Sequence, residues 1–207
     1  MSDRSTTAED KRRLLLSAAV RVFARKGYHT CRVGDIAKEA GVAYGLLYHY
    51  FSSKEEVLET IFRETWTGML ETTRSIESAG GSAQDQLRKI VEVTLRAWRR
   101  DPDLVRLLVR EVTRSPQLQR ELKDIGNAVD ALERIIRRGQ AEGDLRPDVE
   151  PRLASLVVYG AVEQILTSWV LGKPPESEEA INRAERTVLD MLVDGLAVNG
   201  ARASRAA

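Results

Sequence analysis

The stretch that most limits what this chain can become is Val33 to Phe51, VGDIAKEAGVAYGLLYHYF. Val33, Ile36, Ala37 and Ala40 recur at i, i+3, i+4 and i+7, which lays one apolar face along a short helix. Gly41 ends that helix, because glycine enters the left-handed conformation without a Cβ penalty. Val42 packs inward, and a second short helix runs from about Ala43 to His49, carrying Leu46 and Leu47. Two short helices joined by a tight turn with glycine place the second helix in a DNA major groove. The same spacing also suits an ordinary helical corner of an all-α protein.

Charge is distributed in favour of the first alternative. The formal net charge is only +1, but residues 1–55 hold ten Lys and Arg against six Asp and Glu. A local basic excess of this kind is the electrostatic footprint of nucleic-acid binding. At 207 residues, 43% hydrophobic and 30% charged, the chain has room for one large or two small domains and is not expected to be disordered. The lone Cys31 excludes an internal disulfide and a cysteine zinc cluster. No stretch of about 18 uncharged apolar residues is evident, and the polar N-terminus is unlike a signal peptide. The chain is therefore expected in the cytoplasm, nucleoid-associated when bound to DNA, with no membrane partner.

Helical periodicity runs through the whole chain, giving an all-α fold of about nine helices. Met1 to Thr7 reads as a mobile polar arm, Thr7 as an N-cap, and Leu15, Ala18, Ala19, Val22 and Phe23 as the inner face of the first helix. Thr30 is the nearest conventional cap for the second helix. Ser53-Lys54-Glu55-Glu56 is a capping box opening a long helix to about Glu77. Pro102 and Pro116 follow helix ends, Gly143 closes the seventh helix, and Pro151 opens the eighth. That eighth helix, to about Gly172, is apolar nearly all round and must be buried all round. One side can cover its own domain, so the other needs a second subunit. A four-helix bundle from two copies of the last two helices is the expected homodimer, with Leu156, Gly160, Ile165, Val188 and Leu192 at its interface. The expected domains are a three-helix helix-turn-helix domain at 1–54, a regulatory and dimerisation domain at 55–200, and a disordered tail at 201–207.

Around the central stretch the pattern A-x-x-x-F-x-x-x-G-Y, then I-A-x-x-A-G-V-x-x-G-x-L-Y-x-Y-F-x-x-K-E-x-L, resembles the N-terminal domain of the TetR family of bacterial repressors over about residues 11–62. The resemblance implies a dimeric transcriptional repressor that binds double-stranded palindromic operator DNA and carries a separate effector domain. By the same resemblance, Tyr48 and Lys54 reach phosphates. Where the family usually has Thr or Ser, this chain has Cys31 and Arg32, and Arg32 could instead form a charge-assisted phosphate contact beside Val33. Where it often has Ser-Lys, this chain has Ala43-Tyr44. Tyr44 is then left to stack, to touch a thymine methyl or to donate its hydroxyl. Gly45 leaves the helix bare where it nears the groove, and His49 faces base edges or backbone.

A narrower resemblance bears on the effector. Glu111-Val112-x-Arg114-Ser115, Gly139-Gln140-Ala141-Glu142-Gly143-Asp144-Leu145, Arg152-Leu153-Ala154, Tyr159-Gly160 and Thr167-Ser168-Trp169-Val170 are similar to the FadR-type repressors of fatty-acid degradation, which release DNA on binding long-chain acyl-CoA. Phe62, Trp66, Met69, Trp98, Val162 and Trp169 lie on inward faces suited to an acyl chain, and equally to plain core. Arg106, Arg110 and Arg114 form a stripe suited to CoA phosphates or to a solvated face, with Arg134, Arg137 and Arg138 a second cluster. Glu111, Glu163 and Gln164 are polar groups amid apolar helices, either pocket contacts or hydrogen-bonded core, and Tyr159 is a further candidate pocket contact. A repressor of an efflux or detoxification system responding to aromatic or cationic molecules is the competing reading. No enzyme is expected: there is no Gly-rich phosphate loop, no GxSxG and no HExxH, and the two histidines, His29 and His49, fall in the DNA-binding part. No catalytic residue, metal ligand or cofactor is assigned.

Overall fold

The structure, a computed structural model, describes residues 2–112 and 122–198, with side chains at 8–111 and 126–198. Nine helices follow one another: α1 Ser2–Lys26, α2 Val33–Ala40, α3 Tyr44–Tyr50, α4 Lys54–Ser78, α5 Ala83–Arg100, α6 Pro102–Val112, α7 Leu122–Ala141, α8 Pro151–Leu171 and α9 Glu178–Val188. A π-helical turn, Leu189–Val193, and a final short helix, α10 Asp194–Leu196, complete the described chain. The only strand-like feature among the described residues is a single bridge between Leu145 and Ala197. The residues expected to form a tail, 201–207, and Arg114 lie outside the described residues.

Packing divides the chain into two units, and the division differs from a cut at residue 54. One unit holds α1 to α3, α4 up to Thr67, and α6; the other holds α4 from Gly68, α5 and α7 onward. In the first unit the inner face of α1 meets Ile36, Leu47, Phe51, Val57, Leu58, Ile61, Phe62 and Leu107 in one core, where Leu15, Ala18, Ala19, Ile36, Leu47 and Phe62 are wholly buried. In the second, Leu87, Val91 and Leu95 of α5 meet Leu132, Ile135 and Ile136 of α7 and Ala154, Val158 and Val162 of α8.

Helix ends follow their local chemistry, with three departures. Residues 2–7 continue α1 and are no arm, since nothing in Ser-Asp-Arg-Ser-Thr-Thr breaks a helix; Thr7 is therefore not a cap. Thr30 does not cap α2. Its hydroxyl donates to the carbonyls of Lys26 and Gly27, closing α1, while the Asp35 carboxylate accepts from the Arg32 backbone N–H at 2.9 Å. What opens as the ninth helix passes at Leu189 into the π-helical turn. Elsewhere the expectation holds. Gly41 adopts φ +67°, and Ser53 Oγ accepts from Glu56 N at 3.1 Å. The Glu56 side chain returns to Ser52, not Ser53. The Glu150 side chain caps α8 ahead of Pro151 by accepting from the N–H groups of Arg152 and Leu153.

Two expectations, an absent apolar stretch of membrane length and a second covered face, meet in α8. It is long and apolar enough, at a mean hydropathy of 1.4, to qualify by composition as a membrane-crossing helix. Glu163 interrupts its uncharged run without making the helix polar. Helix phase divides α8. Ala154, Val158, Val162 and Val170 are buried, whereas Leu153, Leu156, Val157 and Leu171 are exposed by 61, 47, 51 and 70%.

A candidate nucleic-acid interface and an effector unit

The first unit presents α3 on a frame built from three charge contacts and one lysine. Arg21 and Arg25 of α1 reach the Glu39 carboxylate of α2 at 2.9 and 2.8 Å, and Lys26 reaches Asp35 at 2.6 Å. Hydrogen bonds from Arg25 and Arg21 hold the Glu39 carboxyl below its ordinary range, and one from Lys26 does the same for Asp35. Lys54, the first residue of α4, donates from Nζ to the carbonyls of Tyr28 and Cys31 at 2.9 and 3.1 Å and stands 4.4 Å from the Tyr28 ring centroid. Two of its three ammonium hydrogens are thereby committed to the turn between α1 and α2. Tyr28 in turn donates to Glu55 at 3.0 Å. Burial, first, and then that carboxylate raise its phenol well above the ordinary range.

On this frame α3 buries Leu47 and half-buries Leu46, while Ala43, Tyr44, Gly45, Tyr48 and His49 face solvent. Tyr44 and Tyr48 are 58 and 49% exposed. Their rings meet edge to face at 5.7 Å and their hydroxyls lie 3.5 Å apart. The hydrogen bond between the two hydroxyls raises the Tyr48 phenol. Arg32 is exposed at the start of α2, and Val33 is half-buried against the unit's core. The geometry is that of a helix-turn-helix presenting five consecutive-turn positions to a groove.

The proposed effector residues do not gather in one unit. Phe62 and Trp66 belong to the core of the first unit. In that unit Arg106 reaches Asp103 at 2.8 Å, and Arg110 donates to the Ala24 carbonyl at 3.2 Å, so neither offers an idle guanidinium. Glu111 is buried, with Oε2 lacking a hydrogen bond among the described residues and His29 Nε2 at 4.0 Å. In the second unit Trp98 and Trp169 meet edge to face at 5.9 Å, Val162 is buried, and burial raises the Tyr159 phenol. Met69 is half-buried, and Glu163 faces solvent because it falls on the outer face of α8. The second basic cluster is also engaged: Arg134 with Glu77, Arg137 with Glu133 and Arg138 with Gln86. A cleft of about 100 Å³ beside it is lined by Leu70, Arg74, Asn127, Asp130, Ala131 and Arg134.

Of the residues expected at a dimer interface, Leu156 is exposed and a Cβ on Gly160 would meet nothing within 4 Å. Val188 is buried in the core of its own unit, and Ile165 and Leu192 are partly buried against it. Along a helix of 3.6 residues per turn, the outer stripe runs through Leu153, Leu156, Val157, Gly160 and Leu171. Sequence reasoning also missed three polar anchors in this unit. Buried Gln86 donates to the carbonyls of Glu77 and Gly80. Glu185 takes two hydrogen bonds from Arg96. Asp144 accepts from the Gln84 backbone and side chain at the start of α5. The Gly-Asp-Leu segment thus joins α7 to α5.

A helix-turn-helix on a small helical unit, followed by a larger helical unit, defines a class of DNA-binding regulators. The chain belongs to the TetR family: it matches the family described as bacterial regulatory proteins, tetR family, over residues 15–61, and the tetracyclin repressor-like C-terminal domain over residues 84–192. Within that family the relatives it resembles include FadR-type regulators. It is 28% identical over 184 residues to the fatty acid metabolism regulator protein of Bacillus subtilis, covering 88% of this chain and 93% of that one. The crystal structure of FadR from Bacillus subtilis in complex with stearoyl-CoA superposes with a TM-score of 0.74 at 26% identity, over 88% of this chain and 98% of that one. The fatty acid degradation regulator FadR from Bacillus halodurans gives 0.76 at 27% identity, over 90 and 96%.

Proposed function

We propose that this chain is a ligand-responsive repressor of fatty-acid metabolism genes that binds a palindromic operator as a homodimer and is released by long-chain acyl-CoA. The observation that carries this reading is the length of the likeness. It runs through both units, including the effector unit, to a regulator whose structure holds stearoyl-CoA. Such relatives are transcriptional regulators, not enzymes. They are bacterial DNA-binding proteins, in keeping with a cytoplasmic location.

In the proposed mechanism α3 of each subunit enters successive major grooves, with Ala43, Tyr44, Gly45 and His49 toward the bases and Tyr48 and Arg32 toward phosphates. Lys54 acts mainly by fixing the α1–α2 turn, with one hydrogen left for a phosphate. The exposed stripe of α8 supports dimerisation, because a bare apolar ridge flanking a gap at Gly160 suits a second copy of the same helix. The acyl chain is received among the apolar residues of the second unit, including Trp98, Val162 and Trp169. Arg74 and Arg134, which line the cleft, are the cations available there for its phosphates, Arg134 by exchanging its pairing with Glu77. The effector shifts the balance only by binding better to the subunit arrangement that no longer matches the operator.

The test is release of a duplex selected by this protein from a random library. Palmitoyl-CoA should displace it saturably, while free CoA, free palmitate and a cationic dye should not. Release by the dye and not by palmitoyl-CoA would replace this reading with that of a detoxification repressor.

A further inference from the structure

The recognition helix is unusually poor in groups that read bases by hydrogen bonds. Its exposed positions are Ala43, Tyr44, Gly45, Tyr48 and His49, with no Arg, Lys, Asn or Gln. The bidentate pairings with guanine and adenine that dominate direct readout are therefore unavailable to it. His49 has ring nitrogens, but its ring is set edge-on to Tyr50 at 5.1 Å, at the far end of the helix. What remains is an aromatic ledge. Phe23, Tyr28, Phe51 and Phe62 of the same unit are buried, while Tyr44 and Tyr48, alone among its described large aromatics, turn about half or more of their surface to water.

The ledge is held in place from two sides. A Cβ placed on Gly34 of α2 would lie 3.5 Å from Tyr44 Cε2, so the ring rests against bare α2 backbone. On the other side it meets the Tyr48 ring at 5.7 Å. Gly45, where a Cβ would meet nothing within 4 Å, keeps the neighbouring surface flat. Tyr44 is the first residue of α3, and the N-terminal residues of a recognition helix are those that touch base edges. Across the major-groove edge of a base pair, the feature complementary to an aromatic ring is the C5-methyl of thymine. The hydroxyls at 3.5 Å share one hydrogen between them, which leaves the pair one donor hydrogen for DNA.

We propose that Tyr44 is the specificity-determining residue of α3, its ring covering a thymine methyl in each half-site, with Gly34 as the residue that sets the ring and Tyr48 as its lateral support. The proposal rests on the DNA-binding reading above and refines it.

The experiment selects a duplex for the wild-type protein from a random library and then replaces each thymine singly by deoxyuridine, which removes only the methyl. In the wild type, one thymine per half-site should lose about fourfold in affinity, the worth of one buried methyl-sized group. Tyr44→Phe keeps the ring and should keep that penalty; Tyr44→Ala should abolish it. Gly34→Ala fits at ordinary contact distance and should leave it unchanged, whereas Gly34→Leu displaces the ring and should abolish or relocate it. A wild type indifferent to every deoxyuridine, or a penalty that survives Tyr44→Ala, overturns the proposal while leaving operator binding intact. Failure of the wild type to select any sequence overturns the DNA-binding reading and the proposal with it.

Discussion

Two helices of this molecule, α3 and α8, each leave two or more large hydrophobic side chains in water, and they do so differently. On α3 the exposed groups are two tyrosines, each an apolar ring ending in a hydroxyl, on a helix of seven residues. On α8 they are Leu153, Leu156, Val157 and Leu171, which carry no polar atom, along a helix of 21 residues. A partner for the first must be part polar and part apolar, as a DNA groove is. A partner for the second need only be another greasy ridge. Exposed hydrophobic surface thus announces two kinds of partner, told apart by whether the side chains keep a hydrogen-bonding tip.

The sharpest way to break the comparison is to charge the α8 ridge. Leu156→Arg should turn a dimer into a monomer in analytical ultracentrifugation and weaken operator binding by about a hundredfold or more, since an unpaired charge in an apolar interface costs several kcal/mol. The helical circular dichroism should not change, because Leu156 faces water within its own subunit. A variant that stays dimeric would show that this face is not the interface.

A second contrast lies in how each unit is pinned. The second unit relies on buried polar anchors, of which Gln86 is wholly buried and ties the end of α4 to α7 through Glu77, Gly80 and Arg138. Gln86→Leu should cost about 2–3 kcal/mol, because two carbonyls and a guanidinium lose their partner inside the protein. Thermal unfolding would measure it; an unchanged midpoint would mean that water replaces the amide.

Lys54→Ala probes the corresponding anchor in the first unit. It removes donors to two carbonyls and a cation from the Tyr28 ring, and should lower stability by about 1–2 kcal/mol. A lysine acting only as a phosphate contact would instead leave unfolding unchanged and flatten the salt dependence of DNA binding by about one unit of slope. Measuring both quantities on the same variant separates the two roles.

These anchors mark where the sequence stops being readable. Gly41 and Ser53 act through their own backbone neighbourhoods, so their roles as helix stop and helix cap could be inferred from spacing. Lys54 looks like an exposed basic residue in a capping box. Its acceptors, Tyr28 and Cys31, lie more than twenty positions away, and no local pattern points to carbonyls. The all-round greasiness of α8 concealed its phase. Ile165 differs from Leu156 only in facing inward, which is fixed by where α5 and α7 pack. Asp144 had the opposite fate: its motif was visible as a family resemblance, while its bond to Gln84 was not. The effector residues were hardest of all, because Trp98 and Trp169 look alike as core and as pocket wall.

The smallest effect expected distinguishes the units by acid. Among the described residues, the first unit has four carboxyls held below their ordinary range, Asp35, Glu39, Glu55 and Glu56, and the second has Glu133 and Glu179. A carboxyl depressed on folding stabilises the folded state above its unfolded value, here 3.8 for Asp and 4.5 for Glu, and that stabilisation is lost as pH falls through the folded value. None of these groups is buried, so each contributes little and salt weakens it further. As pH falls through 4.5 and on below 3.8, amide exchange in α2 should therefore quicken more, once corrected for the intrinsic pH dependence, than exchange in α5. The Arg25–Glu39 and Lys26–Asp35 contacts hold α2 directly, whereas α5 is held by Gln84 and Asp144 and by its buried leucines. Glu39→Gln should remove much of the difference by making the α1–α2 contact indifferent to protonation. If α5 opens first on acidification, the first unit does not depend on its surface carboxylates, and its stability lies in the apolar core around Phe23 and Phe62.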